Sequence, residues 1–159
     1  MARVNLVLLS EVKKEDRFDA EFHKDIIKNP NLKYLPIKNV LKYVQYGLSR
    51  EMNEEGIGIK IYRMNEIENM FCSENVSKFA EVNEEELRLF EIKEDDVLFN
   101  RTNSFEFVGR TGIFKKFDKE QYIFASYLVR LRANESIILP EYLTVFLNTK
   151  YGIADVKRR

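Results

Sequence analysis

A chain of 159 residues, 45% hydrophobic and 13% aromatic, can bury one core of ordinary size but not two, and it is too apolar to remain disordered. Its 26 basic and 26 acidic residues cancel, which argues against a protein that grips nucleic acid by bulk charge. A single cysteine, Cys72, and a single histidine, His23, exclude an internal disulfide framework and leave too few ligands for a cysteine-based zinc site.

The N-terminal run Val4 to Leu9 is too short for a signal-peptide core or a membrane span, so the chain reads as untargeted and cytoplasmic, with no membrane partner. Residues 1–33 form a lead-in segment. In it Phe18, Phe22 and Ile26 recur at helical spacing between Arg17 and Lys28, and Asn29-Pro30 stops the run. Next, Ile37, Val40, Leu41 and Val44 fall at i, i+3, i+4 and i+7, which predicts a helix of about two turns capped by Gly47. A polar loop leads to Gly58–Arg63, whose alternation predicts a strand.

Asn83 with Glu86 three residues later reads as a capping box, and Leu87 and Phe90 supply the apolar stripe of a short helix. Val97-Leu98-Phe99 starts a strand. Residues 107–117 and 122–133 read as two more, the second with a bulge near Ala125-Ser126 where side-chain parity slips. Leu139-Pro140-Glu141 starts a helix with proline at its first position, and Tyr142, Leu143, Phe146, Leu147 and Tyr151 follow as far as Gly152. Strands in the middle with helices flanking predict an α+β fold built on a twisted, mainly antiparallel or mixed sheet.

Charge is uneven along the chain. Glu81 to Asp96 is acidic, whereas Asn100 to Arg132 is basic through Arg101, Arg110, Lys115, Lys116, Lys119, Arg130 and Arg132. The neutral total therefore hides either a bipolar surface or two ordinary solvated runs. No cofactor is expected, since no glycine-rich phosphate loop occurs. Asn29-Pro30-Asn31 lacks the second proline and the aromatic of an amino-methyltransferase motif. Glu91-Ile92-Lys93 has the form of a Mg²⁺-nuclease trio, but Glu11-Val12-Lys13 matches as well and neither has an acidic residue at an upstream strand end. His23 in a polar helix and Cys72 without a second histidine read as surface or packing residues rather than catalytic ones.

The densest polar cluster is Asn100, Arg101, Thr102, Asn103 and Ser104, with Arg110 and Thr111 returning on the next strand. Arginine can fork onto guanine O6 and N7, and asparagine can pair with adenine N6 and N7. The same residue types also build turns through local side-chain to backbone bonds, so the segment is either a reading head or a hairpin tip.

The order of pieces adds a resemblance. DVLFNRTNS, VGRTGIF, FASYLVRLR and LPEYLTVFLNTKYG resemble, in order and spacing, a target recognition domain of the DNA specificity subunit of type I restriction-modification systems. LPIKNVLKYVQYGLS and IKIYRMNEI are similar to that domain's opening pieces, and RFDAEF resembles its lead-in. The resemblance implies a DNA methylase specificity-domain-like fold over residues 34–152, with 153–159 beginning a spacer or tail.

It also implies a non-catalytic module that reads one half-site of double-stranded DNA. Methyltransferase and restriction subunits would be its partners, with a second recognition domain supplied in cis or by dimerisation. Carried over by position, the DNA-facing candidates are Ser49, Arg50, Arg63, Asn65, Asn100, Arg101, Thr102, Asn103, Ser104, Arg110, Thr111, Lys115 and Ser126. Arg101 and Asn103 are expected at base edges, and Ser49, Thr102, Ser104 and Lys115 at phosphates or in orientation. Tyr127, Leu128 and Leu131 are expected in the core. One recognition domain without the helical spacer fits an excised piece, a half-length subunit or the end of a fused modification enzyme, and weak binding on its own. A Mg²⁺-dependent nuclease fragment and a protein-interaction domain without DNA readout are the alternatives.

Overall fold

The computed structural model describes residues 31, 33–102 and 107–157, the last four by backbone alone. The expected helix at Arg17–Lys28, His23, and the candidates Asn103 and Ser104 lie outside the described residues.

Among the described residues, nine strands form two sheets. They are β1 (Leu41–Tyr46), β2 (Ile59–Tyr62), β3 (Ile67–Glu68), β4 (Phe71–Cys72), β5 (Phe79–Ala80), β6 (Val97–Asn100), β7 (Thr111–Ile113), β8 (Tyr122–Phe124) and β9 (Leu128–Ala133). The larger sheet has the order β1-β9-β6-β7-β4-β3 and the smaller one β5-β2-β8. Pairing is antiparallel except for β4 with β7 and β2 with β8. Helix α1 (Glu84–Phe90) precedes β6, and α2 (Pro140–Asn148) and α3 (Lys150–Lys157) follow β9. The α+β architecture with mixed sheets and flanking helices is thus the one expected.

Period-2 alternation puts the two faces of β6 and β9 to different uses. Val97, Val129, Leu131 and Ala133 face α2 and meet its Leu143 and Leu147. Leu98 and Leu128 join Tyr62, Phe114, Tyr122 and Phe124 in a second cluster, which ties the two sheets together. A fully buried Leu or Phe at such a position contributes about 1.5–3 kcal/mol. Leu128 and Leu131 are therefore core, as expected, whereas Tyr127 is 37% exposed, contrary to expectation.

Several local expectations hold. Asn83 Oδ1 accepts from the Glu86 amide at 2.9 Å and Glu86 returns the bond from the Asn83 amide at 3.1 Å, so the capping box starts α1. Pro140 opens α2, and strands stand at Ile59–Tyr62 and Val97–Asn100.

Three expectations are corrected. The helix expected at Ile37–Gly47 is a 3-10 turn at Ile37–Asn39 followed by strand β1. Ile37, Val40 and Leu41 do turn inward, but a single turn and a register shift between Leu41 and Tyr43 produce that spacing. Beyond it Tyr43, Val44 and Tyr46 suit a strand, and β9 supplies the hydrogen-bonding edge. Gly47 does not cap a helix: a Cβ there would lie 2.2 Å from the Ala125 carbonyl oxygen, so glycine permits a close backbone crossing.

The bulge expected at Ala125-Ser126 is a change of sheet, since β8 belongs to the small sheet and β9 to the large one. Ala125 O accepts from the Leu128 amide at 2.9 Å to close the turn. At the C-terminus, the helix expected to run to Gly152 breaks at Thr149, whose hydroxyl and amide both donate to Phe146 O. Gly152 sits inside α3, where a Cβ would lie 2.5 Å from that same carbonyl oxygen.

The acidic and basic runs, which left open a bipolar surface or two ordinary solvated runs, are joined to each other in part. Asp96 is wholly buried and accepts from Arg132 Nε at 2.7 Å and Nη2 at 2.8 Å, from Arg130 Nη1 at 3.4 Å and from the Lys93 amide at 2.9 Å. Arg130 also donates to the carbonyls of Leu89 and Glu91, so its guanidinium closes the C-terminal end of α1. Lys115 pairs with Asp95 and with Glu141.

Candidate nucleic-acid interface

Strand directions decide which loops meet. In the large sheet, the ends of β1, β3 and β6 and the starts of β4, β7 and β9 lie at one edge, because neighbours alternate in direction except at the parallel pair β4–β7. Only Ala125, Ser126 and Tyr127 separate the end of β8 from the start of β9. The C-terminal ends of β8 and of its parallel partner β2 therefore reach the same edge.

Backbone hydrogen bonds stitch these ends into a continuous row. Ala125 donates to Tyr62 O, Leu48 to Phe124 O, Ser126 to Leu48 O, and Gly47 to Leu128 O, all at 2.9–3.0 Å. The Arg101 amide then reaches Tyr127 O at 3.1 Å. The segments carrying Ser49, Arg50, Arg63, Asn65, Ser126, Arg101, Thr102, Arg110 and Thr111 are thereby collected at one end of the molecule. Lys115 follows β7 at the opposite end, and its amine is held above the ordinary lysine range, first by the hydrogen bond to Asp95 and then by that to Glu141.

The β6–β7 loop divides its polar residues between two tasks. Asn100 is 0% exposed; its Nδ2 donates to Phe107 O at 2.9 Å and its Oδ1 accepts from the Thr102 amide at 3.3 Å. Thr111 is also buried and donates to Gly109 O at 2.9 Å. Thr102 Oγ1 is buried and has no partner among the described residues. Asn100 and Thr111 belong to the frame of the loop through the local side-chain bonding that favours such residues in turns, and Thr102 joins them through its amide.

Arg101 and Arg110 are held differently. The Arg101 guanidinium lies 4.9 Å from the Tyr46 ring centroid, and its Nε donates to Ser126 O at 3.2 Å. Arg110 lies 4.6 Å over the Phe107 ring and donates to Ile67 O at 3.4 Å. Neither is paired with a carboxylate among the described residues. By contrast, Arg50 is paired with Glu86 and Arg63 with Glu66, while Asn65 and Ser49 are exposed.

Sequence reasoning missed four contributors. Tyr46 went unnoticed because its segment was expected to be helical. Asn148 reaches from α2, where Nδ2 donates to Thr111 O at 2.8 Å and fastens the base of the loop; its signal was only an asparagine at the end of a helix. Asn69 and Met70 form the two-residue β3–β4 turn, both with left-handed φ of 49° and 70°. Asn at the first central position is the usual signal, but Met replaces the customary glycine at the second and conceals it.

Among the described residues no group of three His, Cys, Asp or Glu could hold a metal ion, and no helix is long and apolar enough to cross a membrane. Burial pushes the Cys72 thiol well above its ordinary range, with Asp96 adding to the effect. Glu91, the acid of the E-x-K trio, accepts from Lys93 and from Gln121.

No protein-family profile matches the chain. It is similar to the type I restriction enzyme EcoKI specificity subunit of Escherichia coli K12, 33% identical over 118 residues, 74% of this chain and 25% of that subunit. It is also similar to the putative type I restriction enzyme MjaX specificity subunit of Methanocaldococcus jannaschii, 26% identical over 143 residues, 89% of this chain and 33% of that one. The chain spans about a quarter to a third of the length of these curated relatives.

Two solved structures share the fold at 16% identity. A chain from a structure of complex assembly and conformational transition of the type I R-M system superposes with TM-score 0.53, over 76% of this chain and 29% of that one. The HsdS subunit from Thermoanaerobacter tengcongensis superposes with TM-score 0.50, over 79% and 34%. Over much of its length the chain is thus homologous to specificity subunits of type I restriction-modification systems.

Proposed function

We propose that this chain, with its recognition domain at residues 34–152, is a sequence-specific reader of double-stranded DNA. It reads one half-site and carries no catalysis, and methyltransferase and restriction subunits are directed to the target by the specificity subunit it belongs to. A second recognition domain, in cis or by dimerisation, would read the other half. The observation that carries this reading is the row of loops at one sheet edge, where Arg101 and Arg110 stand on aromatic rings without a carboxylate partner among the described residues. Homology to the EcoKI and MjaX specificity subunits supports it.

Arg101 and Asn103 are placed at base edges in this reading. Arg110, Ser49, Asn65, Ser104 and Ser126 contact or orient the backbone. Arg50 and Arg63 contribute only by exchanging a carboxylate for a phosphate, and Asn100, Thr102 and Thr111 act by shaping the loop. With few unpaired cations at this edge, affinity is weak and its salt dependence shallow, because each neutralised phosphate adds about 0.9 to the slope. Removing Lys115, spent on Asp95 and Glu141, leaves that slope unchanged in a salt titration of Lys115→Ala.

Selection from random duplexes by the full chain at low and moderate salt tests the reading. Enrichment of one motif of about three to five base pairs is the expected result; binding without enrichment, or none at either salt, overturns it.

A further inference from the structure

Arginine reads a guanine only when its fork is presented in plane with the base edge, so something must hold a long, rotamer-rich side chain before the duplex arrives. In this molecule two groups from other segments do so. Tyr46, the last residue of β1, places its ring 4.9 Å from the Arg101 guanidinium, and Ser126 O, in the turn between β8 and β9, accepts from Arg101 Nε at 3.2 Å. The backbone under the side chain is fixed as well, because the Arg101 amide donates to Tyr127 O.

These contacts occupy one face of the guanidinium and its inner nitrogen. The two terminal nitrogens make no hydrogen bond among the described residues, and they form the fork that pairs with O6 and N7. Tyr46 itself is 62% exposed, so burial of its ring adds little to the fold.

We propose that Tyr46 is a positioning residue for base readout: its ring, with Ser126 O, holds the Arg101 fork in the orientation from which it contacts a base. The inference rests on the DNA-reading role proposed above and adds a residue from β1 to it. Tyr46 acts through its aromatic face, so phenylalanine substitutes for it and leucine does not. The duplex gains no phosphate contact from Tyr46, so the salt slope is indifferent to its replacement.

The test uses the full chain and the duplex enriched by selection, with a scrambled duplex of equal length as reference. Tyr46→Leu is expected to lower the ratio of the two affinities by about two- to five-fold, the range of an exposed cation–π contact. Tyr46→Phe keeps the ratio, both variants keep the salt slope, and the melting temperature of Tyr46→Leu falls by no more than about 4 °C. In an Arg101→Ala background Tyr46→Leu produces no further fall, because there is no fork left to position.

An unchanged ratio in Tyr46→Leu overturns the inference, as does an equal fall in both backgrounds. If Arg101→Ala costs discrimination and Tyr46→Leu does not, the positioning role fails while the DNA reading stands. If selection enriches no sequence, both fall together.

Discussion

Arginine serves two purposes at two places on the large sheet. Arg130 and Arg132 on β9 converge on Asp96, and Arg130 is only 4% exposed, set between the rings of Tyr43 and Phe124. Arg101 and Arg110, on the loop at the other end, lean on Tyr46 and Phe107 and donate to main-chain carbonyls. A carboxylate cancels the charge of a guanidinium; an aromatic face orients it and leaves the charge available. The basic stretch of the sequence is therefore not one surface. Its later arginines are structural, and its earlier ones carry charge that no carboxylate among the described residues neutralises.

The contrast breaks most sharply at Asp96. Asp96→Ala strands a buried guanidinium and is expected to cost about 3–5 kcal/mol in urea unfolding, while the folded fraction keeps its duplex preference. A lost preference without lost stability would reverse the assignment of the two ends. Arg101→Ala should do the opposite. Discrimination at one base pair falls by about 1–3 kcal/mol in competition binding, and the unfolding midpoint stays near wild type. An equal loss on every sequence would make Arg101 a phosphate contact.

A third change probes α1, whose end Arg130 closes. Asn83→Ala removes the cap and is expected to cost about 1 kcal/mol. The Glu86 half of the box, whose bond comes from the main-chain amide and survives that change, sets a response to acid. The Glu86 carboxyl lies below its ordinary range, chiefly through the hydrogen bond from the Asn83 amide and then through Arg50. A carboxyl depressed in the folded state stabilises above its unfolded pKa, near 4.5, and that contribution fades as pH falls through the lower folded value. Glu86→Gln should therefore flatten the loss of stability below about pH 4.5 in acid titrations followed by circular dichroism.

The smallest expected effect lies at the loop end. Met70→Gly relieves a left-handed methionine at the price of a looser unfolded chain, for a net gain of roughly 0.5–1 kcal/mol. A raised melting temperature confirms that the turn holds strain; a lowered one shows that the Met70 side chain outweighs it by packing.

Legibility followed the range of the interactions. The capping box at Asn83, the proline start of α2 and the alternation of Ile59–Tyr62 depend on neighbours within four residues, and all three could be read directly. β1 could not, because its apolar spacing came from a turn and a register shift, while the decision for strand was made by an edge of β9 some ninety residues away. The slipped parity at Ala125-Ser126 was visible, but a bulge and a change of sheet leave the same mark in one dimension.

At the candidate site, the sequence by itself determined the composition of the β6–β7 loop and the motif order that resembles a recognition domain. Tertiary structure decided which of those polar groups remain available. Asn100 and Thr111 were drawn into the frame of the loop, because buried donors and acceptors must find partners, and the Thr102 hydroxyl was buried with them. Lys115 went to the far end with Asp95 and Glu141 because β7 carries it there. Tyr46, silent in the sequence, came to lie against Arg101 because β1 pairs with β9 and β9 with β6, and a contact two strands away has no signature along the chain.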